Sequence, residues 1–209
     1  MEEFITILND ESAEIIEKKS KFIANLIHVE SIEEAENSIK EIKKRYHDAK
    51  HNCIAYRVIE DGKIVERSSD DGEPSGTAGA PMLNLLQKNN LCNVLVIVTR
   101  YFGGILLGTG GLVRAYSDVT QSVIERTTKI FKVCGVEFNV KIDYANLDIF
   151  KYYCKNNEIN IIKIDYGEDI NLKIEMEKNR KDILIEEIKE KMQNTIKIDI
   201  LEDKYIEKN

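Results

Sequence analysis

The spacing of apolar and polar positions along this chain predicts a mixed α and β fold. Residues 13–17 and 22–29 read as strands flanking Lys18-Lys19-Ser20-Lys21. Ile32, Ala35, Ile39 and Ile42 then recur at helical spacing. Ser31 and Glu34 form a capping box in front of them, so a helix is expected to run to about Tyr46. Residues 52–59 are strand-like, Glu60-Asp61-Gly62-Lys63 supplies an Asp-Gly turn, and residues 64–68 return as the second arm of a hairpin. Residues 69–79 contain three glycines and a proline, which excludes regular helix or strand there. A short helix follows over 81–87. The unbroken aliphatic run at 94–98 reads as a strand buried on both faces. It leads through Arg100 into a Gly-rich segment. Leu112, Ala115, Tyr116, Val119 and Val123 then place a helix over about 112–127.

After Lys129 the pattern resets. Residues 131–144 read as strand, 145–157 as helix, 160–166 as strand and 169–177 as strand, with Gly167-Glu168 as the turn between the last two. A helix over 178–193 and a strand over 195–205 complete a βαββαβ order, which suggests a ferredoxin-like domain. The expected architecture is therefore α+β with two domains, 1–130 and 131–209, joined without a low-complexity linker.

Composition narrows the function classes. Of the 209 residues, 43% are apolar, enough for a true core. The net charge of -7 argues against a protein held on nucleic acid or membrane by overall charge. The charge is uneven, however: residues 74–130 carry Lys88, Arg100, Arg114, Arg126 and Lys129 against Asp118 and Glu125. The four cysteines, Cys53, Cys92, Cys134 and Cys154, form no C-x-x-C pair and read as reduced thiols. The N-terminus lacks a basic region ahead of an apolar stretch, and no apolar run approaches the roughly 20 residues of a membrane span. A cytoplasmic location without membrane association is expected.

Two segments carry candidate chemistry. Gly103, Gly104, Gly108, Gly110 and Gly111 precede a helix whose first amides point at whatever lies before it. With Arg100, Arg114 and Thr109 they make a candidate anion site. The alternative is that the glycines only permit tight strand–helix packing. Neither phosphate-binding fingerprint fits: Thr109-Gly110 stand where a P-loop needs lysine, and Val113 stands at the last position of G-x-G-x-x-G. The second segment is the acidic loop Asp70, Asp71 and Glu73 with Ser75 and Thr77. Its carboxylates can ligate Mg²⁺, act as general base, cap the next helix or pair with arginine. No cofactor is otherwise implied. His51 and Arg57 are candidates for lining a pocket. His47, His51 and Cys53 lack a fourth ligand and are not read as a zinc site.

The stretches SSDDGEPSGTAGAP at 68–81 and VTRYFGGILLGTGGLVRAYS at 98–117, with residues 19–24 and 51–57, resemble the YigZ/IMPACT family. The resemblance covers about residues 15–125. It implies a first domain like domain IV of elongation factor G and a ferredoxin-like second domain. It implies an association with regulation of translation, and places functional residues at Asp70, Asp71, Glu73, Arg100, Gly103, Gly104, Gly110, Gly111 and Arg114. The expected function is thus a translation-associated regulator that binds RNA, the ribosome or a translation factor through its Gly-rich surface. Two alternatives stay open: a metal-assisted enzyme acting on a phosphorylated or peptide-like small molecule, and a protein-interaction adaptor working through the second domain.

Overall fold

The structure, a computed structural model, describes residues 3–193 and 195–208. The chain divides into two compact units between Ile130 and Phe131. In the first, β1 (Glu3–Ile7), β2 (Glu11–Glu17) and β3 (Ser20–His28) precede α1 (Ile32–Arg45). The hairpin β4 (His51–Glu60) and β5 (Lys63–Ser69) follows, then α2 (Gly79–Lys88), β6 (Val94–Tyr101) and α3 (Gly108–Arg126). The main sheet has the order β2-β3-β6-β4-β5 with antiparallel neighbours. β1 lies beside it, where Ile5 accepts a hydrogen bond from the Cys92 amide at 2.8 Å.

The strand period of two sorts β4 and β6 onto two cores. Cys53, Ala55, Val94, Val96 and Val98 face α2 and α3, together with Leu86, Leu112 and Val119. Ile54, Tyr56, Val58, Leu95 and Ile97 face α1 through Ala35, Ile39 and Ile42. This double cover explains why residues 94–98 show no polar alternation. Ser31 caps α1 by accepting the Glu34 amide at 3.1 Å, and the Glu34 carboxylate reaches back to the Glu30 amide at 2.7 Å.

Three of the boundaries that differ from the sequence expectation bear on the site. β6 continues to Tyr101, so Arg100 is a strand residue paired in register with Phe22 and His51. α3 starts at Gly108 rather than Leu112, because first-turn amides need no partner within the helix and glycine costs little there. α2 starts at Gly79, since Asp70 supplies the cap that Ala78 lacks.

Lys18 and Lys19 form the two-residue turn between β2 and β3, both with positive φ (45° and 68°). Such turns favour Asn-Gly, so two lysines here carry a conformational cost of about 1–2 kcal/mol each. Gly103 passes directly over this turn. A Cβ on it would lie 2.0 Å from the Lys19 carbonyl carbon and 2.4 Å from the Ser20 nitrogen.

The second unit comprises β7 (Lys129–Ile142, entering from the first), α4 (Leu147–Asn156), β8 (Asn160–Tyr166), β9 (Ile170–Glu177), α5 (Lys181–Lys191) and β10 (Lys197–Glu207). Its strands follow the order β10-β7-β9-β8, with antiparallel neighbours. Phe138, Val140, Leu172 and Ile174 pack on Phe150, Leu184 and Ile188 on one face. The opposite face is polar: Glu137 accepts from Lys173 at 2.5 Å and Lys204 at 2.7 Å, and Lys204 also pairs with Glu175. Those lysines hold the Glu137 carboxyl below its ordinary range.

Gly103→Ala is expected to cost about 3 kcal/mol in urea unfolding, the upper end of overpacking penalties, because the blocking atoms are backbone. A loss under about 1 kcal/mol would show that the loop does not depend on this close approach.

Candidate functional site

The acidic loop and the Gly-rich segment are neighbours. Glu73 is 8% exposed and Arg100 6%. Their side chains meet at 2.6 Å, from Arg100 Nη1 to Glu73 Oε1. The same carboxylate oxygen accepts the Tyr116 hydroxyl at 3.0 Å, and His51 Nε2 stands 4.0 Å away. The guanidinium lies against Phe22 and Phe102, 5.4 Å and 5.6 Å from the two ring centres. Arg100 Nη2 donates to Ser20 Oγ at 3.5 Å, while Arg100 Nε is buried without a partner. Ser20 Oγ also accepts the Gly103 amide at 3.1 Å. One buried cluster therefore joins β3, the acidic loop, β6, the Gly-rich segment and α3.

The other carboxylates hold the loop in shape. Asp70 accepts three backbone amides: Gly76 at 2.8 Å, and Ala78 and Gly79 both at 2.9 Å. Burial alone would raise its pKa, but these amides outweigh burial and leave it below the ordinary value of 3.8. Asp71 pairs with Lys43 at 2.7 Å and accepts the Asn52 amide at 2.7 Å. Burial opposes its charge as well, and Lys43 together with the Asn52 amide prevails. The Asp71 carbonyl bonds His51 Nδ1 at 2.8 Å, and because a carbonyl only accepts, Nδ1 carries the proton. Thr77 is buried and donates to the Pro74 carbonyl at 2.6 Å, whereas Ser75 is exposed. Among the described residues, no group of three or more His, Cys, Asp or Glu side chains could hold a metal ion.

Nucleophilic chemistry is disfavoured at the cluster. Cys53 Sγ lies 3.0 Å from the Asp70 carbonyl and 3.3 Å from the Tyr116 hydroxyl. Burial, reinforced by nearby carboxylates, pushes the thiol up to about 12. Burial likewise raises the Tyr116 hydroxyl. Both are protonated at neutral pH, so neither is an activated nucleophile.

The Gly-rich segment has an outward side. Gly104, Thr109, Gly110 and Arg114 are exposed, and Gly103 and Gly111 half-buried. Leu107, the residue before α3, makes no side-chain cap. Lys18 and Arg114 share a cleft of about 180 Å³, which Glu17 and Asp118 also line. Lys18, Lys19 and Arg114 have no carboxylate partner within ion-pair distance among the described residues. Phe102, Ile105 and Leu106 are exposed beside them, Leu106 by 82%.

Arg57 does not join His51. It lies six residues along β4, about 20 Å away at strand rise, and its charge is spent on Glu66 at 2.7 Å and the Leu91 carbonyl at 2.9 Å. Conversely, Tyr116, Ser20, Lys43 and Asn52 belong to the site although sequence reasoning did not select them. Tyr116 had one legible signal: a tyrosine on the buried stripe of α3 needs a partner for its hydroxyl.

Comparison with known proteins identifies the family. Residues 18–124 match the family model of the Impact N-terminal domain, just over half of the chain. The chain belongs to the IMPACT family. Residues 140–195 match a second model, a domain of unknown function (DUF1949). The IMPACT family member YvyE of Bacillus subtilis is 36% identical over 83% of this chain and 80% of its own length. A Haemophilus influenzae IMPACT family member is 36% identical over 88% of this chain and 90% of its own. The crystal structure of a hypothetical protein superposes with a TM-score of 0.65 at 28% identity, covering 97% of this chain and 98% of that one. In the IMPACT chain described here, the motif residues thus divide between an internal cluster and an outward glycine surface.

Asp70→Ala is expected to destabilise the first unit by about 2 kcal/mol, as loss of a strong helix cap does. Folding lowers the Asp70 pKa, so its contribution is complete above the ordinary value of 3.8 and fades as pH falls through the lower folded value. Thermal unfolding of wild type and variant should differ at pH 7 and converge below about pH 4. A difference that persisted or grew in acid would contradict this assignment.

Proposed function

We propose that this IMPACT family chain is a translation-associated regulatory protein that binds RNA through the outward glycine surface at the start of α3. Family membership supports the link to translation. On this reading the first unit has the fold of elongation factor G domain IV and the second a ferredoxin-like fold. The antiparallel order β10-β7-β9-β8, with both helices on one face, supports the latter. Among the described residues no helix is long and apolar enough to cross a membrane. A cytoplasmic location follows from the same reading.

The observation that carries the proposal is Gly110. Its φ is not positive, and an added Cβ would meet nothing within 4 Å. Packing therefore does not require glycine at this exposed first-turn position. Alanine there would cost the fold nothing and would favour the helix slightly. Glycine leaves the opening amides bare, which suits the close approach of a phosphate. Lys18, Lys19 and Arg114 add unpaired positive charge on the same side, and the cost of placing lysines in the left-handed turn fits a requirement for their charge. The acidic loop is not a second ligand surface in this reading; it buttresses the first. Arg100, ion-paired in the interior, is an unsuitable probe of binding.

The test is fluorescence anisotropy with a labelled single-stranded RNA across a salt series. Binding should weaken steeply with salt, and Arg114→Ala should lower the slope of log K against log salt by about 1. Gly110→Ala should leave thermal stability unchanged or slightly higher while weakening binding. An absence of binding at low salt, or wild-type affinity in Gly110→Ala, would overturn the proposal.

A further inference from the structure

The first unit's sheet is unevenly covered. α2 and α3 share one face, whereas α1 alone covers the other and packs mainly over β4 and β6. On that side β2 and β3 have no helix above them, and Ile16 is 69% exposed. The gap between α1 and these strands is a cleft of about 330 Å³, at the low end of the ~300–1,000 Å³ typical of small-molecule sites.

At its floor lies Asn25. Ala24 and Leu26 point into the opposite core, so the strand period turns the Asn25 side chain toward the cleft. Asn25 is 9% exposed, and its Nδ2 has no hydrogen-bond partner. A buried amide donor with nothing to bond is uncommon in a folded protein, and a polar group entering the cleft would answer it. Ser12, its register partner on β2, lies beside it.

The walls hold charge of both signs. Ser38, Glu41 and Arg45 come from one face of α1, and Asp10 and Glu11 close the end. Asp10 accepts the His28 amide at 2.9 Å through one carboxylate oxygen. Glu41 and Arg45 are four apart on α1, in the orientation that favours pairing, yet no ion pair joins them. Among the described residues neither they nor Glu11 has an ion-pair partner. The Asp10 and Glu41 carboxylates would repel a phosphate. The single guanidinium, in turn, would be left unmatched by a simple diamine.

We infer that this cleft binds a free basic α-amino acid. Arg45 takes the α-carboxylate in a bidentate pair. Glu41 and Asp10 take the ammonium groups, and Asn25 Nδ2 donates to an oxygen of the ligand. The site is on the far face of the sheet from the core that holds Glu73 and Arg100, so it stands or falls apart from RNA binding.

The test is titration of the full chain with L-lysine, L-arginine, L-glutamate and L-leucine, followed by calorimetry and by the Asn25 side-chain amide resonance. A basic amino acid should bind saturably and shift that resonance, with glutamate and leucine at least tenfold weaker. The diamine cadaverine and Nα-acetyl-lysine should each bind at least tenfold weaker than lysine. Glu41→Gln and Arg45→Met, both on the exposed side of α1, should keep the fold and lose at least tenfold in affinity. Asn25→Leu should abolish binding with an unchanged or higher Tm, because it removes an unpaired polar group. Absence of binding by either basic amino acid, equal binding of cadaverine, or full affinity in Arg45→Met would overturn the inference.

Discussion

The Glu73–Arg100 ion pair is the constraint on which the arrangement of this molecule's motifs depends. Both charges are taken out of water, which is costly unless each is answered closely. Each answers the other at 2.6 Å, and Tyr116 adds a hydroxyl to the same carboxylate oxygen. Arg100 sits on a central strand, between Phe22 and His51 in register. The acidic loop is therefore tied to the middle of the sheet and to α3 at once. Removing either partner would leave an unanswered buried charge, the most expensive defect available to such a cluster.

This constraint divides the family motifs by direction. Asp70 gathers the amides that open α2, Asp71 clips the loop to β4 and α1, and Thr77 closes its own turn. These polar residues face inward and shape the chain. Gly104, Thr109, Gly110 and Arg114 face outward from the same framework. Gly103 joins the two groups: its missing side chain lets the loop lie on Lys19, whose turn presents two unpaired lysines beside the start of α3. The acidic residues thus support a surface that is itself cationic and apolar, on a chain whose net charge is -7.

Much of this was legible beforehand. Periodicity found α1 with its Ser31 cap, the β4–β5 hairpin and the βαββαβ order of the second unit, because each is a local pattern with its own punctuation. The start of α3 was misplaced by four residues, since glycine is a poor helix former inside a helix but a tolerable one in the first turn. Arg100 read as a loop residue because a charged side chain ends an apolar run, whereas its burial depends on Glu73, distant in sequence. Whether the two motif loops touch was open for the same reason. Lys18-Lys19 read only as the break between two strands, since lysine carries no signal for a left-handed backbone. The Asn25 cleft was invisible, since it exists only because one helix covers half of a five-stranded face.

The central claim is that Glu73 and Arg100 act as one unit in the folded protein. The most direct measurement is a double-mutant cycle with Glu73→Gln, Arg100→Met and the pair, followed by urea unfolding. Each single change should cost about 3–5 kcal/mol, and the double change far less than their sum, giving a coupling of about 2–3 kcal/mol. Additive losses, with coupling under about 0.5 kcal/mol, would contradict it.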